Sequence, residues 1–226
     1  MQECSKVGQR EGKPMTRVII IRHGCSAANK TRVYSGQTDV ALEPEGIEQA
    51  KLACRYVKDH FSVDRVYSSD LSRAVLTVSP LAEALALPIE KRPDLREVDV
   101  GLWAGITFDE IATKFPESRK IMLATPHLGG FDGGETYAEF YQRATAAFTA
   151  VAEENPGKTV AIGTHGGAIR MFLCMVLGVP LSNMSEVPIV PNCSVTVAEY
   201  EAGKWSLPII GYRGHLEEPM AESQVL

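Results

Sequence analysis

Residues 17–24 of the chain read RVIIIRHG, an apolar run that is followed at once by charged and polar residues. The run from Arg17 to Ile21 is continuous and rich in β-branched residues, which is typical of a strand buried on both faces. Such strands belong to parallel sheets that are covered by helices. Arg22, His23 and Gly24 would lie at the carboxyl end of the strand, where ligands bind in these sheets. The stretch therefore predicts an α/β fold and the place of its site.

The rest of the chain repeats this alternation of strand and helix patterns. Further strands are predicted over VDRVY (63–67), Pro88–Arg92, TVAIG (159–163), Ser194–Ala198 and Trp205–Ile210. One helix is predicted after Pro44, where the apolar residues Ile47, Ala50, Cys54, Val57 and Phe61 recur at helical spacing. A second is predicted to begin after Asp70 as its N-cap. Two more are predicted from Thr136 to Glu153 and over Ala168–Leu177. Prolines and glycines predict an irregular excursion over Pro116–Gly134. Strands that alternate with helices indicate one α/β domain with a parallel, helix-covered sheet.

Composition and charge limit the class of protein. The chain has 226 residues, of which 45% are hydrophobic and 23% charged, so we expect a globular protein with one large domain. The net charge of −5 and the lack of a Lys/Arg-rich run argue against a nucleic-acid partner. No apolar stretch is long enough for a membrane span, and the first residues lack an apolar signal-peptide core. We therefore expect a cytoplasmic protein that has no membrane partner.

The chain is expected to have three parts. Residues 1–15 lack periodicity and are predicted to be a flexible N-terminal arm, residues 16–213 a single domain, and residues 214–226 a C-terminal tail. The five cysteines include no CxxC pair, so neither a disulfide framework nor a thiolate zinc site is expected. Ser194–Ala198 is interpreted as an edge strand that is available for pairing in a homodimer.

Three predicted strand ends carry residues of one chemistry. Arg22 and His23 follow the first strand, Arg73 lies one helical turn beyond the second, and His165, Gly166 and Gly167 follow the third. Arginine binds tetrahedral oxyanions with a bidentate fork and stays charged at any working pH. Arg73 would point back to the sheet beside free backbone N–H groups, and the two glycines would let amides approach an anion. The sequence therefore predicts a phosphate site.

A phosphate site that contains two histidines indicates covalent catalysis by one of them. Neutral imidazole is a nucleophile near pH 7. Arg22 and Arg73 would lower the pKa of His23 and keep its ring neutral. Because one ring nitrogen attacks, the other must be held by a hydrogen bond, and the carbonyl of Gly24 is the candidate.

Two residues of the following loop are weaker candidates. Asn29 is a short side chain with both a donor and an acceptor, and the N–H of Gly36 is expected to approach a phosphoryl oxygen. The alternative for both is that they are ordinary loop residues.

Together with others at fixed spacing, these residues resemble the signature of the histidine phosphatase superfamily. The resemblance covers residues 16–200 and is carried by Arg22-His23-Gly24, Asn29, Gly36, Asp39 and Gly46–Ala50, by Ser68–Ala74, by Leu95–Glu97 with Gly101–Gly105, by Gly133–Glu135 and Arg143, and by Thr164–Gly167. It implies the phosphoglycerate mutase-like fold, a three-layer α/β/α arrangement with a mostly parallel central sheet, and no cofactor.

The resemblance also implies a role for each matching residue. His23 would be the phosphorylated nucleophile, and Glu97 would donate a proton to the leaving group. Arg22, Arg73 and His165 would hold the phosphoryl oxygens, and Asn29, Gly36 and Gly166 would line the substrate pocket. The implied activity is that of a metal-independent phosphomonoesterase of the histidine acid phosphatase type, which acts on small phosphorylated metabolites.

Other functions stay open at this point. A bisphosphoglycerate-dependent phosphoglycerate mutase would resemble the chain in its core, but mutases of that type carry a longer insertion and a basic patch after the Glu97 loop. Here Thr107–Phe131 is short, and its cations are Lys114, Arg119 and Lys120, which favours hydrolysis. A non-catalytic phospho-ligand-binding protein is a further alternative, although all the candidate catalytic residues are present.

A metal site and one unusual cysteine complete the alternatives. His23, His165, Glu97 and Asp70 could form a metallohydrolase site, but the arginines around them would repel a cation. Cys25, Ala28 and Ser35 stand where the family commonly has Glu, an aromatic residue and Gln. Cys25 is expected to be either a thiol of lowered pKa that oxidises readily or a passive wall residue. These departures leave the substrate open rather than the chemistry.

Overall fold

The computed structural model describes residues 14–217, and a six-stranded sheet lies at the centre of that range. In chain order the strands are β1 (Thr16–Arg22), β2 (Arg65–Ser68), β3 (Ile89–Lys91), β4 (Thr159–Thr164), β5 (Val195–Glu201) and β6 (Lys204–Tyr212). They lie side by side in the order β3-β2-β4-β1-β5-β6. Strands β1 to β4 run parallel, whereas β5 is antiparallel to β1 and β6 is antiparallel to β5. The carboxyl ends of β1, β2 and β4 therefore meet at one end of the sheet.

Helices cover both faces of this sheet. They are α1 (Ala27–Thr31), α2 (Pro44–His60), α3 (Ser72–Leu85), α4 (Phe108–Lys114), α5 (Pro116–Ala124), α6 (Tyr137–Glu153) and α7 (Gly166–Leu177). Because side chains alternate along a strand, Ile19 and Ile21 pack in the core beneath α2 and α3, whereas Val18 and Ile20 pack beneath α6 and α7. The predicted α/β/α architecture with a mostly parallel sheet is confirmed.

Three local predictions are wrong. Pro116–Gly134 is not irregular throughout, since it contains α5 and a 3₁₀ helix over Pro126–Leu128, and Pro116 occupies the first helical position, where its missing N–H has no partner to lose. Asp70 is not the N-cap of α3, because Leu71 holds that position and the Asp70 carboxylate pairs with Arg96 instead. Ile47 belongs to the stripe predicted for α2, yet it is 44% exposed.

The strand predicted at the edge of the sheet lies inside it. Ser194–Ala198 falls largely within β5, which pairs with β1 on one side and β6 on the other. Its backbone groups are therefore engaged by both neighbours, and it offers no free edge to a second chain. On this side of the sheet the outer strand is β6.

The ends of the chain are described in part. Residues 1–13 of the predicted arm and residues 218–226 of the predicted tail lie outside the described residues. Gly214–Leu216 forms a 3₁₀ helix, and the His215 ring shares a 2.9 Å hydrogen bond with the Cys193 carbonyl. No helix within residues 14–217 is long and apolar enough to cross a bilayer.

Candidate active site

His23 lies directly after β1 with its ring held in one orientation. The side chain is buried, and its Nδ1 lies 2.8 Å from the carbonyl oxygen of Gly24. Because a carbonyl only accepts hydrogen bonds, Nδ1 carries the proton and Nε2 keeps its lone pair. The backbone N–H of His23 donates to the Thr164 carbonyl at 2.8 Å, which ties the ends of β1 and β4 together. The predicted hydrogen bond to Gly24 is confirmed.

Arg73 enters the site from the first turn of α3. It is 1% exposed, and its guanidinium donates to the carbonyls of Gly36 at 2.7 Å and Thr38 at 2.8 Å. Gly36 has φ +47°, and a Cβ there would lie 2.5 Å from Cγ2 of Val100, so this position requires glycine. The carbonyl of Gly36 thus orients Arg73, whereas contact of its N–H with a phosphoryl oxygen stays a prediction.

His165 and Gly166 follow β4 at the start of α7. His165 is fully buried, and its Nε2 lies 2.8 Å from the hydroxyl oxygen of Ser69, which follows β2. The ring centroids of His165 and His23 are 5.3 Å apart. A Cβ on Gly166 would lie 3.1 Å from Cζ of Arg22, so glycine allows that guanidinium to approach the helix. The sheet therefore brings Arg22, His23, Arg73 and His165 together.

Buried polar atoms at this end of the sheet point to an anionic ligand. The Nε atoms of Arg22 and Arg73 and the Nδ1 atom of His165 are buried, and none of them has a hydrogen-bond partner within residues 14–217. A buried polar atom that stays unpaired destabilises a fold, so natural proteins keep few of them. A phosphate dianion supplies acceptor oxygens and the negative charge that the two guanidiniums lack.

Electrostatics keep both histidines neutral. Burial lowers the pKa of His23 to about 3, and the positive charges of Arg22 and Arg73 act in the same direction. Burial also holds the pKa of His165 well below its ordinary value, with Arg73 the next contributor. At pH 7 the site therefore contains two cations and two neutral imidazoles, and Nε2 of His23 is a lone-pair nitrogen that can attack an electrophile.

Glu97 faces this group from the loop that follows a 3₁₀ helix over Pro93–Leu95. Its carboxylate accepts hydrogen bonds from the N–H groups of Val98 and Gly167, both at 2.9 Å. A Cβ on Gly167 would clash with Oε1 of Glu97, so glycine at this position allows the carboxylate to contact the backbone of α7 directly. Its charge counters the effect of burial on the pKa of Arg22 and of Arg73, so the carboxylate lies close to both guanidiniums and borders the predicted phosphate site.

Arg143 fixes the segment that carries Glu97. Its guanidinium donates to the carbonyls of Asp94, Arg96 and Glu97 at 2.9–3.0 Å, and it forms a bidentate pair with Glu135 at 2.7 Å. One side chain on α6 thus satisfies several loop carbonyls that the sheet cannot reach. These contacts hold the backbone from Asp94 to Glu97 in place.

Two other carboxylates near the site are already paired. Asp70 binds Arg96 in a bidentate salt bridge, and this hydrogen bonding lowers the pKa of the Asp70 carboxyl. Glu135 is held by Arg143 in the same way. Neither group is therefore free to donate a proton to a leaving group, and Asp70 is not free to join His23 around a metal. No cluster of three or more potential metal ligands occurs among the residues that the structure describes.

Asn192 is a residue of the site that sequence reasoning missed. Its side-chain amide donates to the carbonyls of His23 at 2.8 Å and Gly24 at 3.2 Å. The Gly24 carbonyl is the acceptor that orients the His23 ring, so Asn192 supports the position of that ring. A signal exists in the topology, because β5 runs antiparallel to β1 and the residues before β5 must lie beside the carboxyl end of β1. That antiparallel pairing was not part of the sequence prediction.

The remaining candidates take less direct positions. Asn29 is exposed, and its Oδ1 accepts from the backbone N–H and the hydroxyl of Ser26 at 3.0 Å, which caps α1. Cys25 is half-buried, and burial raises the pKa of its thiol, with Glu45 acting in the same direction. The expectation of a lowered pKa at Cys25 is therefore wrong, and a role of Asn29 in binding phosphate stays a prediction.

Fold and site together define the phosphoglycerate mutase-like class of α/β proteins. The family model for the histidine phosphatase superfamily, branch 1, matches residues 18–211, and the chain belongs to this family.

Known relatives agree with this assignment. The chain is 34% identical over 169 residues to phosphoserine phosphatase 1 of Hydrogenobacter thermophilus, an alignment that covers 74% of this chain and 79% of the relative. It is 29% identical to phosphoglycerate mutase-like protein 4 of Arabidopsis thaliana over 89% of this chain and 87% of the relative.

Solved structures show the same fold. The YhfR protein of Bacillus stearothermophilus superimposes with a TM-score of 0.84 at 28% identity, over 89% of this chain and all of that protein. Phosphoserine phosphatase of Entamoeba histolytica, solved in complex with 3-phosphoglyceric acid, superimposes with a TM-score of 0.79 at 25% identity, over 89% of this chain and all of that protein. Similar proteins thus carry both phosphatase and mutase-like names.

Proposed function

We propose that this protein hydrolyses phosphomonoesters of small metabolites, without a metal ion or cofactor, through a phosphohistidine on His23. This is the activity of a histidine acid phosphatase-type enzyme. The observation that carries the proposal is the meeting of two arginines and two neutral histidines at one end of the sheet, with buried nitrogens of Arg22, Arg73 and His165 that have no hydrogen-bond partner within residues 14–217. Such a site stabilises a phosphoryl dianion and presents a nucleophile to it.

The first half-reaction transfers the phosphoryl group to the enzyme. Nε2 of His23 attacks phosphorus, an N–P bond forms, and the P–O bond to the alcohol breaks. Arg22, Arg73 and His165 hold the phosphoryl oxygens, whose charge they stabilise in the transition state. The departing oxygen takes a proton from Glu97 and leaves as a neutral alcohol.

The second half-reaction returns the enzyme to its starting state. The Glu97 carboxylate accepts a proton from water, the water oxygen attacks phosphorus, and the P–N bond breaks. Inorganic phosphate leaves, and Nε2 of His23 regains its lone pair. Nδ1 stays bonded to the Gly24 carbonyl through both steps, so the same ring nitrogen is used in each turnover.

The segment after the Glu97 loop favours hydrolysis over the mutase reaction. It folds into α4, α5 and a short 3₁₀ helix, and one of its three cations, Lys114, is paired with Glu110 at 3.0 Å. In mutases of this type the segment is longer and carries a basic patch for the acid product, whereas Thr107–Phe131 is short and has three cations. A non-catalytic binding protein would not require the fixed tautomer of His23.

Location and assembly belong to the same proposal. The free thiols of Cys25, Cys54, Cys174 and Cys193 support a cytoplasmic location. A homodimer would have to use a surface other than β5, since that strand is paired on both sides.

Rapid quenching during turnover tests the proposal. With ³²P-labelled phosphoester, the wild-type protein should yield an acid-labile, alkali-stable phosphoprotein, and the label should map to His23. The His23→Ala protein should carry no label and no activity. The matched control is His60→Ala, because His60 is an exposed histidine at the end of α2 and should leave labelling and rate unchanged.

Three outcomes would contradict the proposal. Label that persists in the His23→Ala protein would assign the nucleophile to another residue. Activity that a chelator abolishes and zinc restores would favour a metallohydrolase. Formation of 2-phosphoglycerate from 3-phosphoglycerate, with no release of inorganic phosphate, would identify a mutase.

A further inference from the structure

A cavity beside Glu97 has the position of a leaving-group pocket. It has a volume of about 180 Å³, and its lining includes Gly36, Glu97 and Gly167, which border the phosphate site. The other walls are mainly apolar and include Tyr34, Val98, Phe131, Tyr137, Phe140 and Met171. An alcohol that takes its proton from Glu97 must lie within hydrogen-bond reach of that carboxyl. The cavity is therefore where the alcohol part of a substrate would lie.

Arg170 brings a positive charge to this apolar lining. Its side chain lines the cavity, and its Nε is buried without a hydrogen-bond partner within residues 14–217. The described residues also offer its guanidinium no carboxylate in an ion pair, unlike Arg96 and Arg143, which both have bidentate partners. A guanidinium in such surroundings is an anion-binding group.

The position of Arg170 on α7 directs it toward Glu97. Gly167 and Arg170 are three residues apart and so lie on the same face of the helix. Helical side chains tilt toward the N-terminus, which carries the arginine over Gly167, the residue whose N–H binds the Glu97 carboxylate. Burial raises the pKa of Tyr137 and outweighs the charge of Arg170, which acts in the opposite direction, so the Tyr137 hydroxyl stays protonated and is a second donor at the cavity.

We propose that Arg170 binds a carboxylate on the leaving group, so that the preferred substrates are phosphate esters of small hydroxy acids that carry no ammonium group. This inference rests on the proposed function and assigns the substrate class of the same site. Two negatively charged groups of the substrate would then be recognised at two separate places, the phosphoryl group at the strand ends and the carboxylate on α7.

The exclusion of an ammonium group follows from the lining of the cavity. Glu97 is the one acidic residue and Arg170 the one basic residue among the described residues that line it. Glu97 must hold a proton in order to act as the acid, and in that form it cannot pair with a cation. An amino acid phosphate would therefore bring a positive charge close to Arg170 with no partner for it. The cavity volume of about 180 Å³ leaves room for a small acid.

Three phosphate esters of nearly equal size separate these features. 3-Phosphoglycerate has the carboxylate and no ammonium, O-phosphoserine has both, and glycerol 3-phosphate has neither. For the wild-type protein, we expect kcat/KM for 3-phosphoglycerate to exceed that for each of the other two by about 10- to 100-fold, as one charge-assisted hydrogen bond allows. p-Nitrophenyl phosphate, which lacks both groups, serves as the common reference.

Variants of Arg170 then assign the preference to one side chain. Arg170→Met keeps the length of the side chain and should bring 3-phosphoglycerate down to the level of glycerol 3-phosphate, while p-nitrophenyl phosphate changes by less than about threefold. Arg170→Lys should restore part of the preference, because it restores the charge without the fork. Arg55→Met, which removes an exposed arginine on α2, is the matched control and should keep the wild-type order.

The possible failures are distinguishable. No hydrolysis of any ester, p-nitrophenyl phosphate included, would remove the proposed function itself. Hydrolysis of p-nitrophenyl phosphate without preference for 3-phosphoglycerate over glycerol 3-phosphate would overturn the carboxylate site alone. Equal or faster turnover of O-phosphoserine would overturn the exclusion of the ammonium group. A uniform loss on all four esters in a folded Arg170→Met protein would show a structural role for Arg170.

Discussion

The two ends of the candidate site are built in different ways. The phosphate end consists of side chains at the termini of regular elements, with His23 after β1, Arg73 at the start of α3 and His165 between β4 and α7. The leaving-group end is formed largely by loops, including the one that carries Glu97, and by the inner face of α7. One end is positioned by the sheet, and the other by contacts such as those of Arg143.

Their chemistry differs as much as their construction. The phosphate end has two guanidiniums and two neutral imidazoles, a set that suits a group common to every phosphomonoester. The leaving-group end has apolar walls, and its described lining residues include one acidic residue, Glu97, and one basic residue, Arg170. Loops tolerate substitution more readily than buried elements do. Under the proposed function, the reaction and the choice of substrate therefore depend on separate parts of this molecule.

Glu97→Gln should have the largest effect, and that effect should differ between alkyl and nitrophenyl esters. An alkoxide is a poor leaving group unless it is protonated as it departs, whereas nitrophenolate needs little such help. We expect the variant to lose hydrolysis of 3-phosphoglycerate by about 10²- to 10⁴-fold and to lose far less on p-nitrophenyl phosphate, as measured by steady-state kinetics.

Arg73→Ala is the matched variant at the phosphate end. Both substrates present the same phosphoryl oxygens to Arg73, so their rates should fall by equal factors. If Glu97→Gln also lowered the two rates equally, Glu97 would not be the acid, and the paired states of Asp70 and Glu135 leave neither of them free to replace it.

Binding of an inorganic anion should depend on the phosphate end of the site and not on the leaving-group end. Tungstate or phosphate at one hundred times its Kd should stabilise the fold by about 2.7 kcal/mol, which raises Tm by several degrees in a domain of this size. Arg73→Ala should abolish this shift in a thermal melt, whereas Arg170→Met should retain it. Loss of the shift in the Arg170→Met protein would mean that the two ends are not independent.

Asn192→Ala should have the smallest effect on activity, because Asn192 contacts the backbone carbonyls of His23 and Gly24 and not the predicted position of the phosphate. Without the amide, the carbonyls of His23 and Gly24 lose a donor each, and the His23 ring is held less firmly. We expect kcat to fall about tenfold on alkyl and nitrophenyl esters alike, with KM little changed. Asn183→Ala, at an exposed asparagine, should leave kcat as it is. A purely structural role would lower Tm without changing kcat of the folded protein.

The phosphate end could be predicted from sequence for a physical reason. Parallel strands bring their carboxyl ends together, so residues directly after RVIII and TVAIG must meet wherever the helices pack. No such topological rule predicts the position of Glu97, and only the family resemblance indicated that it belongs to the site. Asn192 depends on an antiparallel strand, and Arg170 resembles any polar residue on an apolar helix until the cavity in front of it is known. The prediction that Asp70 caps α3 is wrong because its carboxylate, although suited to an N-cap, forms a salt bridge with Arg96.

Burying His23 and His165 as neutral rings also makes the folded state sensitive to acid. An unfolded chain protonates each histidine near pH 6.5, whereas the pKa of His23 in the folded protein is about 3 and that of His165 is well below its ordinary value. At pH values between the folded and unfolded pKa, the histidines are protonated in the unfolded chain and neutral in the folded protein. The free energy of unfolding therefore falls as pH falls through this range. Above it the two rings contribute no pH dependence. Inactivation in acid should therefore follow denaturation, with urea midpoints that decline below about pH 6.5, and not titration of the nucleophile in an intact molecule.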